Sequence, residues 1–569
     1  MDGVNAEGDN AWDEGVDLDG NLTITGRISE NEIKNVDMFG VYAYSSEAMN
    51  IDLSYNSITP NNSQSGFDNR YAVSLWSEGL SSISITGNEI EEAYGGAYIY
   101  DNSFMPLSVS FVGNSIRGFS SGGSGGYGLF AITNWNDIEA TIADNEVSDM
   151  AGGVVIAPGF DGFGGAGFSS MRAAENGSGY PMATGSVQRN VLSNVDMGIE
   201  LYGFENGLVS DNTIATSEIG IYVIGPLYEF TGLSDEPQTG NVVRDNVVTD
   251  AFTGAYIAGD PVALIEGNSI SASPDSMGYG IVVEPYFTMD SAAAASVPLS
   301  APGVVGRLKA GAKIGDLAFV SRFRSGILDG GYSSGPQIIN NQLSGQALGI
   351  LAVAADGATI GGNSISGPGE FGYRPESIDD AESIGILNAY SYGGLILGNV
   401  VTGMDDGVDV GFVSSDILIQ QNDLTGWGDA EAGSGIDAEF SYGIAVSGNR
   451  VQDFGDGIRM SWVESATVEN NVVLDSVWNG INVAHVASSF SPLNGHPPED
   501  GAAVNFNRVY NAENASAAGG ISVSDGSVLT IRNNTVVGPN GYGTGVSASE
   551  SSFVDARNNI VTGFNAALY

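Results

Sequence analysis

The 569-residue chain contains no cysteine. Disulfides, thiolate-ligated zinc and thiol nucleophiles are therefore excluded. Basic residues are also scarce: 18 Lys and Arg stand against 68 Asp and Glu, and the only lysines are Lys34, Lys309 and Lys313. A formal net charge of −50 repels phosphate backbones and anionic lipid, so neither nucleic acid nor membrane insertion is expected. A polyuronate or sulfated glycan would be repelled too, unless cations bridged it. Two histidines, His485 and His496, are too few for a histidine metal site. No apolar run approaches the roughly 18 residues of a membrane-spanning helix. The opening MDGVNAEGDN lacks the basic and apolar regions of an export signal, so a processed or excised chain is expected.

Glycine is abundant at 82 residues, alongside Ser, Thr, Val, Ile and Asn, while charged residues make up 15% and hydrophobic ones 42%. This is the composition of an all-β, turn-rich protein with enough apolar content for a substantial core.

An Asn followed two residues later by an aliphatic recurs along the whole chain. It falls at Asn31, Asn56, Asn88, Asn114, Asn145, Asn190, Asn212, Asn246 and Asn268, then at Asn341, Asn363, Asn399, Asn422, Asn449, Asn471, Asn507, Asn534 and Asn559. The shortest interval, 22 residues, occurs four times and is never undercut, while the longest is 73. A floor with variable excess means a fixed structural unit carrying loop insertions. After each Asn phrase comes a glycine followed by an aliphatic, as at Gly220-Ile221, Gly407-Val408, Gly435-Ile436 and Gly457-Ile458. A short alternating run then leads to the next Asn. Three short strands of period two, separated by turns, make one coil of 22 residues, and stacked coils give parallel sheets with aliphatic columns inside. The Asn is expected at a corner, where it tolerates unusual φ/ψ and bonds to its neighbours along the stack.

This grammar resembles the right-handed parallel β-helix of the pectin-lyase-like superfamily. The resemblance implies an all-β solenoid of about 18 coils, with residues 1–30 as its N-terminal edge or cap and residues 31–569 as the β-helix. That scaffold hosts lyases, hydrolases, epimerases, tailspikes, adhesins and plain surface proteins. The calcium and Arg/Lys signatures of a pectate lyase are absent, as is the Asp-Pro-His-Asp motif of alginate epimerases. The C-terminal NNIVTGFNAALY stops within a coil and has no obvious capping helix. An open end is an unpaired edge, so either further chain or a partner protein is expected there.

Inserts are expected at about 157–185, 225–240, 286–335, 366–383 and 485–503. The largest, 286–335, carries five basic residues against three acidic ones in an otherwise acidic chain. All but 366–383 follow the Gly-aliphatic strand, which places them along one edge, where binding loops gather.

The second residue after the glycine points outward. It reads as Tyr42, Tyr98, Phe130, Val155, Glu200, Tyr222, Tyr256, Val282, Leu351 and Leu387, then as Asp409, Asp437, Arg459, Asn482 and Ser522. The polar half is the candidate catalytic face. Asp409 and Asp437, with Glu439, could divide acid–base work on a glycosidic bond, with Arg459 beside them. A salt-bridged, solvated ladder is the plain alternative. Trp462, Asn482 and His485 are candidate ligand contacts, and Tyr222 and Tyr256 are candidate sugar-stacking rings. No cofactor is required. Ca²⁺ is the one metal left room for, at the Asp405/Asp406/Asp409 group. GxGxxG at Gly162–Gly167 and GxSxG at Gly331–Gly335 lack the strand–helix context that would give them meaning.

Two functions follow as expectations. One is a non-catalytic extracellular or cell-surface β-helix, acting as an adhesin, spacer or assembly module and binding glycans through its loop edge. The other is a polysaccharide lyase or glycoside hydrolase working on the acidic face.

Overall fold

The computed structural model describes residues 5–7, 16–20, 23–36, 39–60, 71–118, 126–159, 181–225, 240–273, 278–284, 335–368, 383–411, 414–428, 433–486, 502–511, 519–525, 527–539, 541–549 and 552–568. Among these, every helix or strand assigned is a strand. The chain divides into two compact units. One comprises Met1–Leu264, Asn268–Ile270 and Tyr286–Leu317. The other comprises Ile265–Gly267, Ser271–Pro285 and Ala318–Tyr569.

In each unit the chain winds as a right-handed parallel β-helix. One coil of the second unit shows the plan. The strand Thr467–Glu469 leads to the Asn471 corner, Val472–Leu474 follows it, and Asn479–Ala484 carries the Gly-aliphatic pair. Each of the three pairs in parallel with its equivalent one coil on, Thr467 with Ala503, Val472 with Arg508 and Ile481 with Ile521. Inward positions are sealed: Ile396, Ile419, Val446, Val468, Val504 and Ile531 form one fully buried column, and Val408, Ile436, Ile458, Ile481 and Ile521 form another. Each such side chain contributes about 1.5–3 kcal/mol on leaving water.

The first unit repeats this plan with two differences. The stretch 1–30 supplies Asn5–Glu7, Val16–Gly20 and Ile24–Ser29, which pair in parallel with Glu32–Lys34, Val41–Ser45 and Met49–Ser54; the terminal edge is itself a coil. In three coils the second and third strands run together, as Glu146–Ala157, Val191–Leu201 and Thr213–Ile224, with register shifts where the corner is absorbed.

The Asn corner is built as expected in its bonding but not in its backbone. Along the ladder an Asn Oδ1 accepts from the backbone N–H and the side-chain amide of the preceding corner Asn, as with Asn145 onto Asn190 and Asn449 onto Asn471. The left-handed residue, however, is the one before the Asn. Glu30, Tyr55, Arg189, Gln421 and Phe506 all have φ near +55°. The Asn side chain satisfies the corner's buried polar groups, while its neighbour makes the bend.

The recurrent glycine answers to close approach. A Cβ on Gly457 would lie 2.2 Å from Val473 Cγ1 and 2.5 Å from the carbonyl oxygen of Gly480. Gly435 and Gly480 stand in the same relation to the next coil's glycine. Gly457→Ala is therefore expected to lower stability by about 1–3 kcal/mol through overpacking; an unchanged urea midpoint would contradict this.

The cores of all five inserts, together with His496, the Gly162–Gly167 motif and the Gly331–Gly335 motif up to Ser334, lie outside the described residues. Four of the inserts do follow the ends of Gly-aliphatic strands, at Ala157, Ile224, Glu284 and Ala484.

Candidate functional site

The outward column of the second unit is continuous. Leu387, Asp409, Asp437, Arg459, Asn482 and Ser522 are register partners, each one coil from the next. Leu387 is buried, whereas the polar members are half-buried. Arg459 Nη1 donates to Asp437 Oδ2 at 3.3 Å, with the Asp437 side chain 15% exposed and that of Arg459 42%. Asp437 foremost, then Glu439, Asp456 and Asp406, hold the guanidinium pKa above its ordinary value. The arginine thus neutralises part of this acidic face by pairing with one carboxylate.

Neighbouring acids and amides are engaged in structural bonds. Asp456 accepts from the Asn479 backbone N–H and side-chain amide and, through Oδ2, from Asn482 Nδ2 at 2.8 Å. Asn482, expected as a ligand contact, therefore spends its amide nitrogen within the sheet. Asp405 accepts from the Ser383 N–H and hydroxyl, and Asp406 accepts from the Ser434 N–H. The Asp405/Asp406/Asp409 group does not form a calcium cage: among the described residues no cluster of three or more acidic or histidine side chains is placed to hold a metal.

Beside this face lies a feature only half seen in the sequence. In several coils the residue that follows the Gly-aliphatic strand and turns the next corner is left-handed. It is Gly259 in the first unit, but Ala354, Tyr390, Phe440, Trp462, His485 and Asp525 in the second, these six with φ between 47° and 59°. Bulky residues in this region are uncommon and carry a conformational cost. Here they stack: Phe440 on Trp462 at 6.0 Å between centroids, and Trp462 on His485 at 3.9 Å, both at 13° between planes. His485 Nδ1 lies 3.7 Å from Asp525 Oδ2. Phe440 is 43% exposed, and two residues beyond the same corner Tyr392 and Tyr442 are 55% and 46% exposed. Phe440 was not singled out from the sequence, although its 22-residue separation from Trp462 was the available signal.

In the first unit Tyr222 and Tyr256 stack on each other at 5.3 Å, but both are buried, at 4% and 1% exposure. They offer no ring face to a sugar, since a side chain that points away from the coil interior can still be covered from outside. Ser74 stands between Tyr42 and Tyr98 in the register. That coil escaped the sequence pattern because Ala72 replaces its glycine. Glu200 is buried beneath the same face. Its Oε2 accepts from the Tyr202 hydroxyl at 2.9 Å, while its Oε1 has no hydrogen-bond partner among the described residues. Burial raises its pKa to about 7.

No curated protein sequence matches the chain. The family model for the right handed beta helix region matches residues 384–565. Two solved structures are similar to the chain at low identity. A variant of the periplasmic alginate epimerase AlgG is 10% identical across 80% of this chain and 77% of that one, with a TM-score of 0.31. The A-module of the Azotobacter vinelandii mannuronan C-5 epimerase AlgE4 is 11% identical across 82% and 88%, with a TM-score of 0.32. The matched segment and the coil-to-coil parallel pairing in both units make the chain a right-handed parallel β-helix repeat protein.

Proposed function

We propose that the chain is a non-catalytic module of the cell surface or extracellular space that binds glycans through the aromatic corner of its second unit. The Phe440–Trp462–His485 stack carries this reading. Aromatic rings are held at a corner where glycine would sit more easily, in successive coils about 4.8 Å apart. Ring faces pack against the apolar faces of sugars, while Arg459, Glu439 and the exposed Tyr442 supply hydrogen bonds to hydroxyls. Several carboxylates surround one guanidinium, so the face suits an uncharged glycan and disfavours a polyuronate. The pairing of Arg459 with Asp437 counts against a free pair of catalytic carboxyls.

The test is gel retardation of the whole chain in a panel of neutral and acidic polysaccharides. Trp462→Ala is expected to weaken retention by a neutral glycan about tenfold, a loss of about 1.4 kcal/mol, with unchanged melting. Retention equal to that of the unaltered chain would remove the aromatic corner from the reading. New reducing ends or unsaturated products that vanish in Asp409→Asn, with the fold intact, would replace it with the polysaccharide-degrading alternative.

A further inference from the structure

The first unit carries a groove of about 460 Å³ on the sheet formed by the strands that precede the Asn corners. It crosses successive coils. Thr25, Asn50, Ser82 and Ser108 are register partners along it, and Glu139 pairs with Ser108 at its end. Leu80, 55% exposed, and Pro106 form an apolar margin on the adjoining turns. The turn that supplies Pro106 also carries Phe104, 79% exposed and stacked on Trp135 at 6.3 Å and 25°.

We infer that this groove is a second glycan site, separate from the aromatic corner, and that it takes an uncharged extended polysaccharide. Hydroxyl and amide side chains recur along it at the coil spacing, about 4.8 Å, and so meet a polymer whose hydroxyls also recur. The apolar margin and the outlying aromatic pair suit the less polar faces of sugar rings. Charge narrows the class. Among the described residues the lining includes one carboxylate and no Lys or Arg, and Arg27, two residues along the strand from Thr25, is held by Asp52 at 3.3 Å. A polyuronate would meet repulsion without a counter-charge. An added peptide strand has no edge to join, because the strands Met49–Ser54, Ser81–Thr86 and Leu107–Val112 are paired on both sides. A second copy of a chain with net charge −50 would be repelled as well.

The experiment uses the full chain with a soluble β-glucan, a xylan, a mannan and alginate as probes, measured by titration calorimetry. The Trp462→Ala chain is expected to retain binding to at least one neutral probe. Adding Ser82→Trp, which fills the groove from an exposed position, should weaken that binding at least tenfold without moving the melting temperature, whereas Ser82→Ala should not. Ser108→Trp is the second blocking variant, should Ser82→Trp disturb the fold. Loss of all binding in Trp462→Ala alone would overturn the inference. So would equal binding with and without the blocking tryptophan, or light scattering showing that Ser82→Trp converts a dimer to a monomer. Failure of the aromatic corner leaves a different mark: Trp462→Ala then binds as the unaltered chain does, and the blocking variants still report on the groove.

Discussion

Replacing Asn422 with alanine is expected to lower stability by about 3–5 kcal/mol, although the residue touches no candidate site. Its Oδ1 accepts from the Asn399 backbone N–H and side-chain amide, both at 2.9 Å. Its Nδ2 donates to the Ile396 carbonyl at 3.0 Å and to Asn449 Oδ1 at 2.9 Å. The residue is 1% exposed, so water cannot replace these bonds freely. At about 1 kcal/mol for each bond, with a further cost for the orphaned Asn399 N–H, the sum reaches that range. Aspartate should rescue little. It could accept from Asn399, but it would set a buried carboxylate against the Ile396 carbonyl and Asn449 Oδ1. Urea unfolding followed by circular dichroism and fluorescence measures the difference. A loss no greater than that of Ser364→Ala, at an exposed strand position, would show that the ladder is not a source of stability.

The second large effect is a pH dependence. Glu200 has a folded pKa of about 7, raised from 4.5 mainly by burial, with Glu218 adding to the rise and the Tyr202 hydroxyl opposing it. Between these two values the folded chain holds a proton that the unfolded chain has released. The stability this group contributes is therefore present in full below about pH 4.5, falls as pH rises toward 7, and is constant above that. The whole change is on the order of 3 kcal/mol. Other buried acids titrate as well, Asp260 among them, so the quantity to measure is the difference between the unaltered chain and Glu200→Gln. Glutamine removes the charge at every pH. Relative to the unaltered chain, its stability should rise between pH 5 and pH 8 by on the order of 3 kcal/mol. A difference that stays flat across this range would mean that Glu200 keeps an ordinary pKa in the folded protein.

The coil itself was legible in the chain because its length is a property of the backbone. Three strands and three corners need a minimum number of residues, so insertions lengthen the interval and nothing shortens it. The Asn corner and the Gly-aliphatic pair were readable for the same reason, since each meets a steric or hydrogen-bonding demand that recurs in every coil. Counting from the glycine also put Asp409, Asp437, Arg459 and Asn482 in one register, as the strand pairing has it.

What escaped the sequence depends on neighbours from other coils and on outer packing. The residue before the Asn is often Gly, Asn or Asp, as at Gly87, Asp211 and Asn470, which suits the left-handed region, but Glu30, Tyr55 and Phe506 adopt the same backbone, and there coil closure, not residue preference, imposes it. Tyr222 and Asp437 occupy equivalent outward positions, yet one is buried against Tyr202 and Tyr256 while the other meets Arg459. Period-two alternation states which side of a strand a residue takes, not what covers that side. The stacking of Phe440, Trp462 and His485 likewise needed the three-dimensional corner, because residues 22 and 23 positions apart become adjacent rings only when coils of equal length are laid over one another. The sequence by itself thus determined the period, the corners and the register of the β-helix, which are local demands repeated in every turn. The tertiary structure alone decided which outward faces are buried, which carboxylates are neutralised and where aromatic rings gather, because these depend on contacts between coils.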